Sequence, residues 1–235
     1  MSEIVAGIDE AGRGAIIGPM TIAGVSISKD KLPLLEKLGV KDSKELSHPR
    51  RIKLAMQIEK LVKDIVVIKV EACRIDSYRN SGTNLNQIEA NKMVEILDII
   101  KPDEAIIDSP DVNTNKFRLR IENKLMHKCR VIAEHKADKN HKIVSAASII
   151  AKVEREKAIE KLKKKYGDFG PGYTSNEITI RWLKEWKEKH NDYPDIVRKT
   201  WITVSNIESR KKQSFLSRFL GLRKDECGGR DGFGT

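Results

Sequence analysis

Asp9-Glu10, Asp108 and Asp138 are the residues whose types and placing could do chemistry. Asp9-Glu10 closes an apolar run at residues 4–8 and stands just before Gly12-Arg13-Gly14. Two adjacent carboxylates at a buried strand end are costly unless something positive neutralises them, and a divalent cation would do so. Neighbouring strand residues point to opposite faces. Both carboxylates therefore converge only if the strand bends there, which glycines at 12 and 14 permit. A solvated acidic turn accounts for this pair equally well. Asp108 repeats the arrangement, ending Ala105-Ile106-Ile107 before Ser109-Pro110, and Asp138 follows the apolar run 131–133 after a short link. Three such positions at three strand ends are harder to read as solvated turns, because sites in open α/β sheets gather beyond the strand ends. Hard oxygen donors in this number select Mg²⁺ or Mn²⁺ over zinc. Two such ions about 3.5–4 Å apart activate water and stabilise the leaving oxygen of a phosphodiester. His48, His127, His135, His141 and His190 show no metal-ligand spacing.

The elements that must hold these groups are legible as alternating patterns. Strand-like runs cover residues 4–8, 20–27, 65–70, 105–107 and 131–133, with helical patterns at 49–62, 87–100 and 116–126. Strands separated by helices indicate an α/β domain. No long helix parts the first two strands, so that pair is expected to be antiparallel and the sheet mixed. From about Ser145 the pattern is wholly helical: 145–165, then a glycine-rich loop at 167–172, then helices at 175–189 and 194–208. The expected organisation is a catalytic core at 1–165, a helical subdomain at 166–208, a docking segment at 209–220 and a disordered tail at 221–235.

Charge narrows the partners. The chain has 235 residues and a net charge of +11, from 45 Lys and Arg against 34 Asp and Glu. Residues 139–165 hold nine Lys and Arg against three Glu. So uneven a share suits a phosphate-tracking face, and a solvated helix face explains part of it. Cys73, Cys129 and Cys227 form no C-x-x-C pair, which argues against a disulfide framework and a zinc site and fits a reducing cytoplasm. Met1-Ser2-Glu3 is not followed by a basic and then apolar leader, so the start reads as mature protein. No stretch approaches the ~18 apolar residues of a membrane span.

With these segments in view, the chain resembles ribonuclease HII in its archaeal form. The resemblance rests on Gly7-Ile8-Asp9-Glu10-Ala11-Gly12-Arg13-Gly14, Lys41-Asp42-Ser43-Lys44, Ile107-Asp108-Ser109, Ala137-Asp138, the run from Ser145 to Lys152, and Gly170-Pro171-Gly172-Tyr173. It implies a ribonuclease H-like fold, a five-stranded mixed sheet flanked by helices with a helical C-terminal region. It also implies Asp9, Glu10, Asp108 and Asp138 as ligands of Mg²⁺ or Mn²⁺. The implied substrates are RNA/DNA hybrids and duplex DNA with an embedded ribonucleotide, cut on its 5′ side to leave a 3′-hydroxyl and a 5′-phosphate.

Within that resemblance the backbone of Gly12, Arg13 and Gly14 contacts the 2′-hydroxyl, the one group that separates RNA from DNA. Tyr173 stacks on the next, deoxy, sugar. Ser43 and Lys44 hold a DNA phosphate, for which hydroxyl and charge are suited, although a helix-capping turn would look the same. Ser145 and Ser148 open the helix beside Asp138 and complete the expected substrate set. Gln213, Leu216, Phe219 and Leu220 have the spacing of a box that binds the sliding clamp PCNA, with Leu220 where a second aromatic is usual. An amphipathic helix packed on the body has the same i, i+3, i+4 pattern. A resolvase or transposase of the same fold would lack the Gly-Arg-Gly and Tyr173 pattern. A non-catalytic duplex-binding module would gain nothing from four acidic groups. The default assembly is a monomer.

Overall fold

In the computed structural model residues 2–40 and 46–209 are described. Residues 2–199 belong to one compact unit, and a second begins at Thr200. The first unit is built on five strands: β1 (Ile4–Ala11), β2 (Met20–Ser28), β3 (Asp64–Val70), β4 (Glu104–Asp108) and β5 (Arg130–Glu134). Their order is β3-β2-β1-β4-β5. β1 pairs antiparallel with β2, and β2 with β3, whereas β1–β4 and β4–β5 are parallel. The sheet is thus five-stranded and mixed, as the pattern of runs implies.

Eight α-helices are described: α1 (Leu32–Lys37), α2 (His48–Leu61), α3 (Ala72–Asn80), α4 (Leu85–Ile100), α5 (Thr114–Glu122), α6 (Ala137–Asn140), α7 (Lys142–Tyr166) and α8 (Glu177–Lys189). A further helical stretch at residues 202–209 lies in the second unit. No described helix is long and apolar enough to cross a membrane.

The central strands are buried along nearly their whole length because both faces are covered. α7 lies on one face. A Cβ at Gly7 would come within 2.5 Å of the Ile143 carbonyl, so only glycine lets β1 and α7 approach this closely. α4 lies on the other face, with Ile96 and Ile100 against Gly24. The Asn84 and Gln87 side chains form a reciprocal cap that starts α4. From Ile143 to Ala151 every residue of α7 is buried, and only farther along does the helix become amphipathic.

One expected helix is shorter than its pattern. Residues 194–201 are not helical, because their backbone is used elsewhere. Ile196 O accepts from Gly18 N at 2.8 Å, and Arg198 N donates to Ile16 O at 2.9 Å. This fastens the chain just before Thr200 to the loop that follows β1.

Candidate active site

The parallel strands β1, β4 and β5 direct their C-terminal ends to one edge of the sheet, and the acidic residues collect there. Asp9 and Glu10 are the two residues before the last of β1, and Asp108 is the last residue of β4. Asp138 follows β5 in the first turn of α6, after Lys136 turns the chain with a left-handed φ of 60°. Asp108 Oδ1 accepts from Ala137 N at 2.9 Å, so one carboxylate fixes the turn that carries the next.

The expected bend in β1 falls later than Asp9-Glu10. Pairing with β2 runs in register through Ala11↔Thr21, so the backbone still alternates faces here, yet the Asp9 and Glu10 carboxyl groups come within hydrogen-bonding reach of each other past the strand end. Asp9 shares the α7 face with Gly7, and Ser148 hydrogen bonds its carboxylate. Glu10 faces the charge of Glu89 on α4. The chain turns at Gly12, whose φ is +80°. Both carboxylates nonetheless share the field of Asp108 beyond the strand edge.

Burial holds the Asp9 carboxyl well above its usual range, and the charges of Glu10 and Asp108 add to this against the Ser148 hydrogen bond. Glu10 is pushed up to about 8, by burial first and then by Glu89 and Asp108. Glu89 is pushed up to about 7 by burial, although Arg13 beside it opposes the shift. Arg13 Nε stands 2.9–3.0 Å from both Glu89 oxygens, and its Nη2 donates to Asn86. Asp9, Glu10, Asp108 and Glu89 thus lie within one another's electrostatic reach in pairs, with Arg13 and, more weakly, Arg198 opposing them at Glu89. Among the described residues no three are gathered at ligating distance around one point. Unneutralised carboxylates repel, and an all-oxygen donor set with surplus negative charge fits a hard divalent cation.

Ser145 and Ser148, expected as substrate groups, are buried and engaged inside the protein. Ser145 Oγ donates to the carbonyl of Asp138, and Ser148 bonds Asp9. Of the two, Ser145 thus fixes the backbone that carries Asp138, and Ser148 fixes the Asp9 carboxylate itself.

The glycine loop and Tyr173 are joined. Gly172 O accepts from Ile16 N at 2.8 Å and Ile17 N at 3.1 Å, and Ala15 bridges Tyr173. The Arg155 guanidinium lies 4.9 Å from the Tyr173 ring centroid. Thr179, near the start of α8, holds the same loop from behind, accepting from Gly172 N and donating to Phe169 O. A cleft of about 890 Å³ opens beside Tyr173 and runs along α7 past Lys152, Arg155 and Lys163.

Ser43, Lys44 and the clamp-box residues Gln213, Leu216, Phe219 and Leu220 lie outside the described residues. So does the tail at 221–235.

Glu89, Arg155 and Arg198 are functional candidates that the sequence reading missed. Glu89 carried a signal, since it falls on the apolar stripe of α4 with Met93, Ile96 and Ile100. A charge on a core stripe demands a partner or a role.

The ribonuclease HII family model matches residues 6–204. The chain belongs to the ribonuclease HII family. It is therefore a ribonuclease H-type endonuclease, a hydrolase, and enzymes of this family depend on divalent metal. Ribonuclease HII of Pyrococcus abyssi is 46% identical over 223 residues, covering 92% of this chain and 98% of that one. The structure of ribonuclease H2 from Pyrococcus horikoshii superposes with a TM-score of 0.84 at 44% identity, covering 89% of this chain and 99% of the other. The ribonuclease HII of Archaeoglobus fulgidus, solved in a complex with PCNA, gives a TM-score of 0.80 at 47% identity, covering 86% and 96%.

Proposed function

We propose that this ribonuclease HII cuts the RNA strand of RNA/DNA hybrids and cleaves 5′ of single ribonucleotides embedded in duplex DNA. The products carry 3′-hydroxyl and 5′-phosphate ends, and the work served is ribonucleotide excision and primer removal in the cytoplasm. The observation that carries this reading is the continuity of the site. The acidic cluster at residues 9 and 10 runs straight into the glycine loop, and Ala15 ties that loop to Tyr173.

Asp9, Glu10, Asp108 and Asp138 would hold two Mg²⁺ or Mn²⁺ ions. Bound there, the ions would supply Lewis-acid activation of the attacking water and neutralise charge on the departing oxygen. The protein's own part is to orient these groups. Ser148 steadies Asp9, Asp108 holds the α6 turn, and Ser145 braces Asp138 from below. Arg13 is committed to Glu89 and Asn86, so the loop meets the ribose through its backbone. Tyr173 offers the following sugar a ring at the mouth of the cleft, where the DNA beyond the junction would lie.

Two glycines of the loop differ in what requires them. A Cβ on Gly12 would strike Arg155 Nε at 1.9 Å, so the fold itself needs that glycine. Gly14 is exposed, and a Cβ there would meet nothing within 4 Å. Close approach of a substrate is a reason for glycine at 14 that internal packing does not supply. Gly14→Ala is expected to leave stability within about 0.5 kcal/mol. Its KM for a duplex with one ribonucleotide should rise about tenfold or more. Melting curves and steady-state kinetics on the same preparation check both halves.

The reaction is tested by incubating the protein and Mg²⁺ with duplex DNA carrying one ribonucleotide and mapping the cut. A single cut 5′ of the ribonucleotide, lost when that sugar is made deoxy, is the expected result. Equal cutting of all-DNA duplex would defeat the reading.

A sliding-clamp tether through Gln213, Leu216, Phe219 and Leu220 is part of the same proposal, supported by the clamp complex of the Archaeoglobus fulgidus relative. Pull-down on a PCNA-type clamp should retain wild-type protein and lose Phe219→Ala. Equal retention would remove the tether.

A further inference from the structure

We infer that Arg155 and Arg198 are positioning residues that set the glycine loop against Tyr173 and thereby tune preference for an RNA-to-DNA junction over continuous RNA. The inference rests on the junction reading given above. Both side chains are buried, Arg198 completely and Arg155 to 5% exposure. Both spend their donors on backbone carbonyls. Arg198 Nη1 donates to Arg13 O at 2.6 Å, and its Nη2 to Gly12 O at 2.7 Å and Gly18 O at 3.1 Å. Arg155 Nη2 reaches Ile17 O at 3.2 Å and Pro171 O at 3.3 Å, one on each loop. The same guanidinium lies over the Tyr173 ring.

The direction of these bonds has a consequence for the site. In a trans peptide the C=O and the following N–H point opposite ways. Drawing the Gly12 and Arg13 carbonyls inward to Arg198 therefore turns the Arg13 and Gly14 N–H groups outward. Successive N–H groups so presented form a concavity suited to phosphate or hydroxyl oxygen. Arg198 aims the ribose reader from behind, and Arg155 fixes how far that reader stands from the aromatic platform.

Holding two guanidinium groups here is expensive. Burial pushes Arg198 down to about 9 and lowers Arg155 as well. The Arg155 Nε–H finds no acceptor among the described residues. Well-packed apolar side chains would fill the same space at lower cost. They could not hold carbonyls of two loops at once. Departures from local economy of this kind concentrate at functional sites.

A plain structural staple and a positioning pair predict different kinetics. Arg155→Lys and Arg198→Lys keep a charge but lose the planar fork, and Arg155→Met keeps only bulk. For each, kcat/KM is measured with Mg²⁺ on a duplex holding one ribonucleotide and on a uniform RNA/DNA hybrid, alongside the melting temperature. The expected result is a loss on the single-ribonucleotide duplex about tenfold greater than on the uniform hybrid, larger for Met than for Lys. In a Tyr173→Ala background Arg155→Lys should add little further loss of preference, because both act on one contact. Equal losses on the two substrates, or full additivity with Tyr173→Ala, would overturn the inference. If Arg198→Lys fails to fold, the two Arg155 variants decide. A wild-type protein that does not cut the single-ribonucleotide duplex defeats the junction reading itself, and this inference with it. Wild-type cutting with unchanged preference in the variants defeats this inference alone.

Discussion

Replacing Asp108 by Asn is expected to lower turnover about a thousandfold, or about 4 kcal/mol of transition-state stabilisation, while duplex binding is kept or strengthened. Asp108 ends β4 beside the last residues of β1, and its charge bears on both Asp9 and Glu10. Asn is nearly isosteric and retains an oxygen where Asp108 Oδ1 accepts from Ala137 N. The turn that carries Asp138 therefore survives, and what is lost is one negative charge at the proposed cation site. A polyanion binds no worse to a site with one charge fewer. The metal-free variant should also melt higher than metal-free wild type, since one repulsive partner of Asp9 and Glu10 is gone. Single-turnover cleavage at saturating Mg²⁺, with binding followed by fluorescence anisotropy, separates chemistry from affinity. Turnover near the wild-type rate would remove Asp108 from the metal site.

Much of this site was legible because its carriers obey simple periodicities. The five apolar runs became the five strands, and Asp9, Glu10 and Asp108 stand at strand ends where period and turn residues placed them. The long pattern from Ser145 became α7, begun three residues earlier at Lys142. What escaped was long-range pairing, which local pattern does not encode. Arg155 sits in a lysine-rich stretch and reads as one more solvated cation, yet it is buried between two loops. Arg198 falls in a segment with helical spacing that tertiary hydrogen bonds to Ile16 and Gly18 pull out of helix. The partners of Ser145 and Ser148, the Asp138 carbonyl and the Asp9 carboxylate, likewise meet them only in the fold. Glu89 was readable in principle, as an acid on an apolar stripe. Its reason, Arg13, lies 76 residues away.

With Mg²⁺ held by the acidic cluster as proposed, its affinity is expected to depend steeply on pH. Glu10 is pushed up to about 8, chiefly by burial and then by Glu89 and Asp108, and Glu89 to about 7 by burial. Asp9 is raised well above its usual range for the same first cause. A folded-state pKa above the unfolded value means the metal-free fold binds more protons than the unfolded chain between the two. The stability contributed by the neutral carboxyls is full below the ordinary carboxylate range and is lost as pH rises through about 8. Mg²⁺ favours the opposite state, because ligand carboxylates must be ionised to bind it. Metal binding therefore releases protons, and the apparent Kd should rise at least about tenfold per pH unit below about 8. Between pH 8 and pH 6 that amounts to a loss of about a hundredfold in affinity, and cleavage at subsaturating Mg²⁺ should fall with it. Calorimetric titration of Mg²⁺ in buffers of different ionisation enthalpy counts the released protons directly. Thermal melts supply the second half: added Mg²⁺ should raise the melting temperature more at pH 8 than at pH 6, where the metal-free protein is already the more stable. An affinity that stays flat from pH 6 to pH 8 would mean that the raised carboxyls are not the groups the metal meets.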